Sequence, residues 1–482
     1  MSADTSGKAA PITGAAPKLT SIELHSIDFI PESERHGTIG QQVRFWFLGN
    51  FVFLTAAVGF LGPSLGLSLL WAIVAAGAGN FLGCVFMALH ASQGPRLGLP
   101  QLIQSRAQFG YTGVVAALVA TGLTFVALNI LNTLVVAQGL KSIYGWDFTT
   151  VAVVAAVVAV VTAIWGHDLL HKAFTWILLI SAPIFIVLVF GVFAGTAGPT
   201  VASTGGFSLN AFMITFAAAA SYNIAFAPFV SDFTRYMPRE TPQWQIAAAV
   251  FGGAGLSGFI MMALGCWLAT SLGVNDALAG LKLAGDNMMG GFGTVIVIVS
   301  VVAQVITAGM TAYSAHLTII TAIDAIRPYR PSRTGRSVVI IALAIAWTVC
   351  AIALPSDYIA AVNNILAVML YLLVPWSGVN LVDFFIVRRG RYAIADLFSP
   401  TGTYGRWSWR GLTAYLIGFS TMIPFAVFTF YTGPLAEALG GADISWLIGL
   451  IVSSILYWVM SRGIDMTSEA EAIRRSDASI GA

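Results

Sequence analysis

Long apolar stretches, one after another, limit this chain more than any other feature. Each is about 20 residues long, the length a helix needs to cross the hydrocarbon core of a bilayer. Twelve can be delimited, at roughly 44–62, 67–93, 113–143, 148–166, 171–196, 207–231, 244–273, 293–323, 336–354, 357–386, 409–431 and 444–461. Charged residues make up only 9% of the chain, and they lie mostly between the stretches. Inside a bilayer each backbone polar group must be satisfied within the protein, so such stretches read as helices. The expected fold class is an all-α polytopic membrane protein of about twelve transmembrane helices.

An even number of spans places both termini on one side, and the basic residues say which. Lys and Arg in short loops are retained on the cytoplasmic face during insertion. With the N-terminus inside, 21 of the 23 Lys and Arg fall on that face and only Lys141 and Lys282 fall outside. A missed span would scramble this sorting. The expected location is therefore the cell's inner (plasma) membrane, with cytoplasmic tails at 1–43 and 462–482 and a cytoplasmic connector at 387–408. The first 20 residues lack an apolar signal core, and the stretch after Gly463 reads as a second polar tail. The longer cytoplasmic segments, including 94–112, read as amphipathic connectors lying at the interface.

The net charge of +2 follows from this topology and points to no nucleic-acid partner. Cys84, Cys266 and Cys350 all lie in apolar runs, where packing is their usual role. There is no CxxC, phosphate loop, metal cluster or nucleophile–base pair, so neither an enzyme nor a cofactor is expected, and no obligate protein partner is evident. The chemistry must occur between the helices, which leaves transport of a small solute across the bilayer.

Two spans carry interruptions at matching places if the chain divides into five-helix units at 44–196 and 207–386, with helices 11 and 12 (409–461) peripheral. The first span contains Gly59, Gly62 and Pro63, and the sixth contains Ser221-Tyr-Asn223 shortly before Pro228. Broken first helices in two units of opposite orientation form midplane binding sites in transporters, although Gly and Pro also occur in ordinary membrane helices. Polar side chains within spans usually face the bundle interior. Phe125 and Asn129, four apart on helix 3, offer an aromatic plane beside an amide, and Asn132 lies three further on. These amides bind solute or pack against neighbouring helices; both readings stand. Helix 6 offers Ser221, Asn223 and Phe226, helix 8 a polar run from Gln304 to His316 that includes Thr311, and helix 10 Asn363 and Asn364.

Three separated segments resemble signatures of the nucleobase-cation-symport-1 family: Ile27-Asp-Phe-Ile-Pro-Glu-Ser-Glu-Arg-His-Gly37, Gln104-Ser-Arg-Ala-Gln-Phe-Gly110 and Ser231-Asp-Phe-Thr-Arg-Tyr-Met-Pro238. With Tyr313-Ser314 the likeness runs from about residue 27 to 390 and is closest to the purine-cytosine permease branch. The resemblance implies a LeuT-like core of five plus five inverted helices with two extra ones. It also implies a solute held between aromatics of helices 3 and 6, here Phe125 and Phe226, with Asn129 on the ring edge. Thr55 and Gly59 fall in the broken part of helix 1. Thr311 stands where relatives often have Asn. Relatives that bind Na+ place adjacent hydroxyl residues where this chain has Val305 and Ile306. A hard cation requires oxygen ligands, so H+ is expected as the coupling ion ahead of Na+. The expectation is a symporter importing a nucleobase or related heterocycle by alternating access, its partners being that solute and the lipid bilayer. The alternatives are an amino-acid permease of the same fold and, from another class, an ion channel.

Overall fold

The computed structural model describes residues 27–199, 205–327, 332–354 and 358–480; the first 26 residues of the tail expected at 1–43 and the basic residues Lys8, Lys18 and Arg330 lie outside them. Nine helices are long and apolar enough to cross a membrane, and up to eleven spans result if each of two bent helix pairs counts as one, among the described residues. Span 1 is such a pair, α1 (Ile39–Asn50) and α2 (Phe53–Ser64), bent by 55°. Spans 2 to 5 are α3 (Leu69–Ala91), α4 (Val115–Tyr144), α5 (Phe148–Trp165) and α6 (His167–Phe193). Span 6 is α7 (Leu209–Ile224) and α8 (Ala227–Thr234), interrupted at Ala225 and Phe226. Span 7 is α9 (Gln243–Ser271), and a separate helix, α10 (Ala277–Met288), follows in what the sequence leaves as a loop. Spans 8 to 10 are α11 (Phe292–Ile326), α12 (Arg333–Ala353) and α13 (Tyr358–Val382).

Two expectations change at the C-terminal end. The eleventh span is helical only over α14 (Trp409–Met422); Pro424 lies in a short 3-10 turn after it, and the chain then runs extended to the Val427–Thr432 bridge. Fourteen residues of helix rise about 21 Å, less than the roughly 30 Å hydrocarbon core. After α15 (Ser445–Ser461) the chain turns by 92° into α16 (Met466–Ile480), so the expected polar tail is an ordered amphipathic helix. Arg388 Nε donates to Glu469 of α16 at 2.6 Å, and Arg388 also pairs with Asp383, which gives the tail a buried anchor.

The helices sort into two groups by contact. α1 and α2, α3, α7 and α8, and α9 pack on one another, while α4, α5, α11 and α12 form a second group; α13 joins α7 to α4 and to the peripheral α14 and α15. The first group is interlocked at glycines. A Cβ on Gly79 would stand 2.1 Å from the Phe216 carbonyl oxygen, and one on Gly83 2.4 Å from that of Ala220. Between helices surrounded by lipid such close backbone approach provides dispersion contact that the hydrophobic effect does not. Outward-facing apolar side chains such as Val154, Phe190 and Ile345 cover the outer helices.

The segment between α3 and α4 was expected at the interface and is instead buried, with Gln93, Gln101, Gln104, Arg106 and Gln108 all inside. It is where the three sequence signatures meet. Ile30 N–H donates to Gly98, Arg35 to the Pro95 carbonyl, and Gly37 N–H to the Tyr236 carbonyl. Ser231 donates to the His90 carbonyl and to Gln101 Oε1, Thr234 to the Ala91 carbonyl, and Arg106 pairs with Asp324 at 2.8 Å. Arg35, Arg106 and Arg235 are all buried here, which makes this end of the molecule its basic face.

Gly83→Val should destabilise the protein by about 1–3 kcal/mol through overpacking, whereas Gly252→Ala on α9, where a Cβ meets nothing within 4 Å, should be neutral. Thermal unfolding of the two variants in detergent measures the difference.

Candidate substrate site

The interruption of span 1 creates the centre of the site. α1 ends at Asn50, Phe51 and Val52 leave helical geometry, and α2 restarts at Phe53 with no side-chain cap from Val52. Sequence pointed to Gly59, Gly62 and Pro63 as the place of the break, and only a minor discontinuity at Phe60 occurs there. Pro63 is accommodated because helix restarts at Leu61 after the Phe60 discontinuity, which puts the proline in a first turn, where a missing N–H costs nothing. Gly59 has a packing role: a Cβ there would lie 2.2 Å from the Met262 carbonyl oxygen, and Cys266 Sγ donates to the Gly59 carbonyl at 3.1 Å.

A restarted helix has N–H groups without intrahelical partners. Leu54 N–H, in the first turn of α2, donates to Gln304 Oε1 on α11 at 2.9 Å. Gln304 Nε2 donates to Asn132 Oδ1 on α4, and Asn132 Nδ2 donates to Asn129 Oδ1 at 3.2 Å. Asn129 is fully buried, and its Nδ2 has no hydrogen-bond partner among the described residues. An unpaired buried donor costs free energy of about 1–3 kcal/mol unless something binds to it.

Aromatic rings surround the same region. Phe125, one turn before Asn129, meets Phe229 edge-on with centroids 5.1 Å apart. Phe226 lies at the interruption of span 6, 5.3 Å from Phe229, 5.5 Å from Tyr222 and 6.3 Å from Trp46. Phe229 therefore touches both Phe125 and Phe226. Phe125 belongs to the second helix group and the other rings to the first, so the cluster straddles the boundary between the two.

The remaining sequence candidates divide. Thr55 donates to the Tyr222 hydroxyl at 2.9 Å, beside the ring cluster. Thr311 is buried on α11, its hydroxyl bonded back to the Thr307 carbonyl at 3.3 Å. Ser221 donates to the Leu366 carbonyl of α13, a helix-to-helix tie. Asn223 joins a ladder in which Asn50 donates to Asn223 Oδ1 and Asn223 donates to Asn80 Oδ1, linking α1, α7 and α3. Asn364 is not brought to the centre: its amide exchanges hydrogen bonds of 2.7 and 3.0 Å with Thr429 in the extended segment after α14. Phe229 and Trp46 are the residues that sequence reasoning did not select. Phe229 follows Phe226 by three and so shares its helix face, a spacing that could have marked it.

A helix bundle with two interrupted spans and a buried, partly unpaired polar centre defines a polytopic membrane transporter. Its family follows from comparison. Residues 29–449 match the family described as permeases for cytosine/purines, uracil, thiamine and allantoin, and the chain belongs to that family of transporters rather than to any group of enzymes. It is 31% identical over 446 residues to the putative purine-cytosine permease YxlA of Bacillus subtilis, spanning 92% of this chain and 96% of that one. It is 23% identical over 470 residues to the purine-cytosine permease fcyB of Emericella nidulans, covering 91% and 88% of the two chains. The solved structure of Mhp1, a nucleobase-cation-symport-1 family transporter in a closed conformation with bromovinylhydantoin bound, superposes with a TM-score of 0.75 at 16% identity over 95% of this chain and 100% of that one. The fold is thus the LeuT-like arrangement expected from the sequence, extended by α14 and α15 at the C-terminal end.

Asn364→Ala should alter the KM for the transported solute by less than about twofold, as a substitution remote from the site. Phe229→Ala should raise it by at least about tenfold, since a buried aromatic contact is removed. Initial-rate uptake by the two variants checks both.

Proposed function

We propose that the chain imports a nucleobase or closely related heterocycle by cation symport. The observation that carries this reading is the pairing of an aromatic cluster with a buried amide donor that has no protein partner, at the junction of an interrupted helix. Rings supply stacking to any flat heteroaromatic solute. The amide penalises rings whose edge cannot pair with it. An amino-acid substrate would gain little from either.

In this reading the group built on α1, α2, α3, α7, α8 and α9 rocks against α4, α5, α11 and α12 around the site, giving alternating access. Its supports are the sorting of contacts and the aromatic boundary. The sorting of the basic residues supports a cytoplasmic position for both termini and a location in the inner (plasma) membrane. Phe125, Asn129, Phe226, Thr55 and Thr311 contact the solute or line its pocket, joined by Phe229 and Trp46. The proton is our preferred coupling ion. Val305 and Ile306 are buried apolar side chains on α11, and the neighbouring Gln304 is a neutral amide already engaged at both ends.

The test is uptake into proteoliposomes of radiolabelled cytosine, uracil, adenine, hypoxanthine, allantoin and leucine, with a sodium or a proton gradient imposed separately. Concentrative uptake of one heterocycle under the proton gradient alone is expected; sodium dependence would overturn the coupling assignment, and accumulation of leucine alone would overturn the substrate class. Asn129→Ala should reduce saturable uptake by about a hundredfold or more at unchanged membrane expression.

A further inference from the structure

The hydrogen bonds that end at Asn129 have a direction, and that direction is set at their other end. A backbone N–H can only donate, so Leu54 requires the oxygen of Gln304, not its NH2 group. With Oε1 committed, Gln304 turns its NH2 to Asn132, which must meet it with Oδ1. The NH2 of Asn132 then faces Asn129, whose oxygen accepts it at 3.2 Å. Reversing any one of these amides would set NH2 against NH2 or oxygen against oxygen. One backbone group of the interrupted helix therefore orients three side chains on two other helices. The last of them is left with its nitrogen buried and unpaired. The orientation of an Asn or Gln amide is ordinarily inferred from its network, and this network has a fixed origin.

We infer that this relay makes Asn129 exclusively a donor, so that the solute must present a hydrogen-bond acceptor, a ring nitrogen or a carbonyl oxygen, to helix α4. Gln304 and Asn132 are positioning residues that impose the requirement without touching the solute. The inference rests on the heterocycle reading above and narrows it: an edge made only of N–H or C–H groups is excluded from that side of the site. A solute of that kind would leave the Asn129 NH2 group desolvated and unpaired, which should weaken its binding about tenfold or more. The relay also crosses from α2, in one helix group, to α11 and α4 in the other. The selective orientation of Asn129 consequently exists only while α2 sits against α11.

The experiment is a cycle between protein and ligand variants, with purified transporter in proteoliposomes and the transported base as radioligand. Competitors are analogues of that base lacking one acceptor each (ring nitrogen to C–H, or carbonyl to CH2 or C–H) or one exocyclic amino donor each. In the wild type, removal of one particular acceptor is expected to weaken competition about tenfold or more, and in Asn129→Ala the same removal should cost less than about threefold. Gln304→Leu and Asn132→Ala should bind the parent base yet lose most of this discrimination, because Asn129 is then free to turn its oxygen to the solute. A purely structural role for these two residues would weaken all competitors alike. The inference is overturned if the coupling to Asn129 falls on a donor instead of an acceptor, or if Gln304→Leu and Asn132→Ala discriminate as the wild type does. Should both relay variants fail to fold, the wild-type and Asn129→Ala arms still decide the polarity. Failure of the wild type to bind any nucleobase would count against the functional reading itself.

Discussion

The structure depends on the unwinding of span 1 at Phe51 and Val52. Within a bilayer a helix can be opened only where the freed backbone groups find partners inside the protein. Here Gln304 reaches from α11 to supply the acceptor that Leu54 needs, and Asn50, at the end of α1, is held by Asn223 and by the Ala254 carbonyl at 3.0 Å. Each partner ties a different helix to the break. The same necessity that keeps the backbone satisfied therefore determines where α4, α7, α9 and α11 stand around the centre.

The two helix groups are held together by different means inside and between. Within the first, glycines bring backbones into contact and an asparagine ladder runs through the interior, both of which demand fixed geometry. Across the boundary rings meet rings, Phe125 against Phe229 and Phe233 against Tyr313. Aromatic edges and faces tolerate sliding because their attraction is weakly directional compared with a hydrogen bond. The Gln304 bond to Leu54 is directional and crosses the boundary, which sets it apart from its surroundings.

At the basic face the three segments that resemble family signatures close the ends of the spans over one another. The Ser231-Asp-Phe-Thr-Arg235 element is buried and bonded to the segment between α3 and α4, with Asp232 accepting from Gln101 N–H at 3.1 Å. Further along, Asp383 accepts from Tyr392 and Tyr457 at 2.8 Å each and from Gln108. Burial and the adjacent Asp383 carboxylate hold the Tyr392 phenol well above its ordinary pKa, so it remains a donor in this network. The most recognisable residues of the chain thus serve to seal one end, while the solute centre is built from less distinctive ones.

The spans were legible in the sequence because the bilayer imposes their length and apolarity on each segment separately. Phe125, Asn129 and Phe226 were legible as candidates for a related reason: a polar or aromatic residue in such a segment stands out against its neighbours. The length of α14, the course of the chain after Gly463 and the position of the break in span 1 were not, since each depends on partners distant in the chain. Arg388 anchors the last helix through Glu469, and Gln304, 250 positions from Leu54, permits the break. Asn364 and Asn129 look alike as asparagines in apolar runs, yet Thr429 engages one, and among the described residues nothing occupies the amide nitrogen of the other. The sequence alone determined that the chain is a many-spanning membrane protein and, by resemblance, its family. Only the tertiary structure decided which amides are satisfied, because satisfaction of a polar group in an apolar medium is a property of pairs of residues and not of single ones.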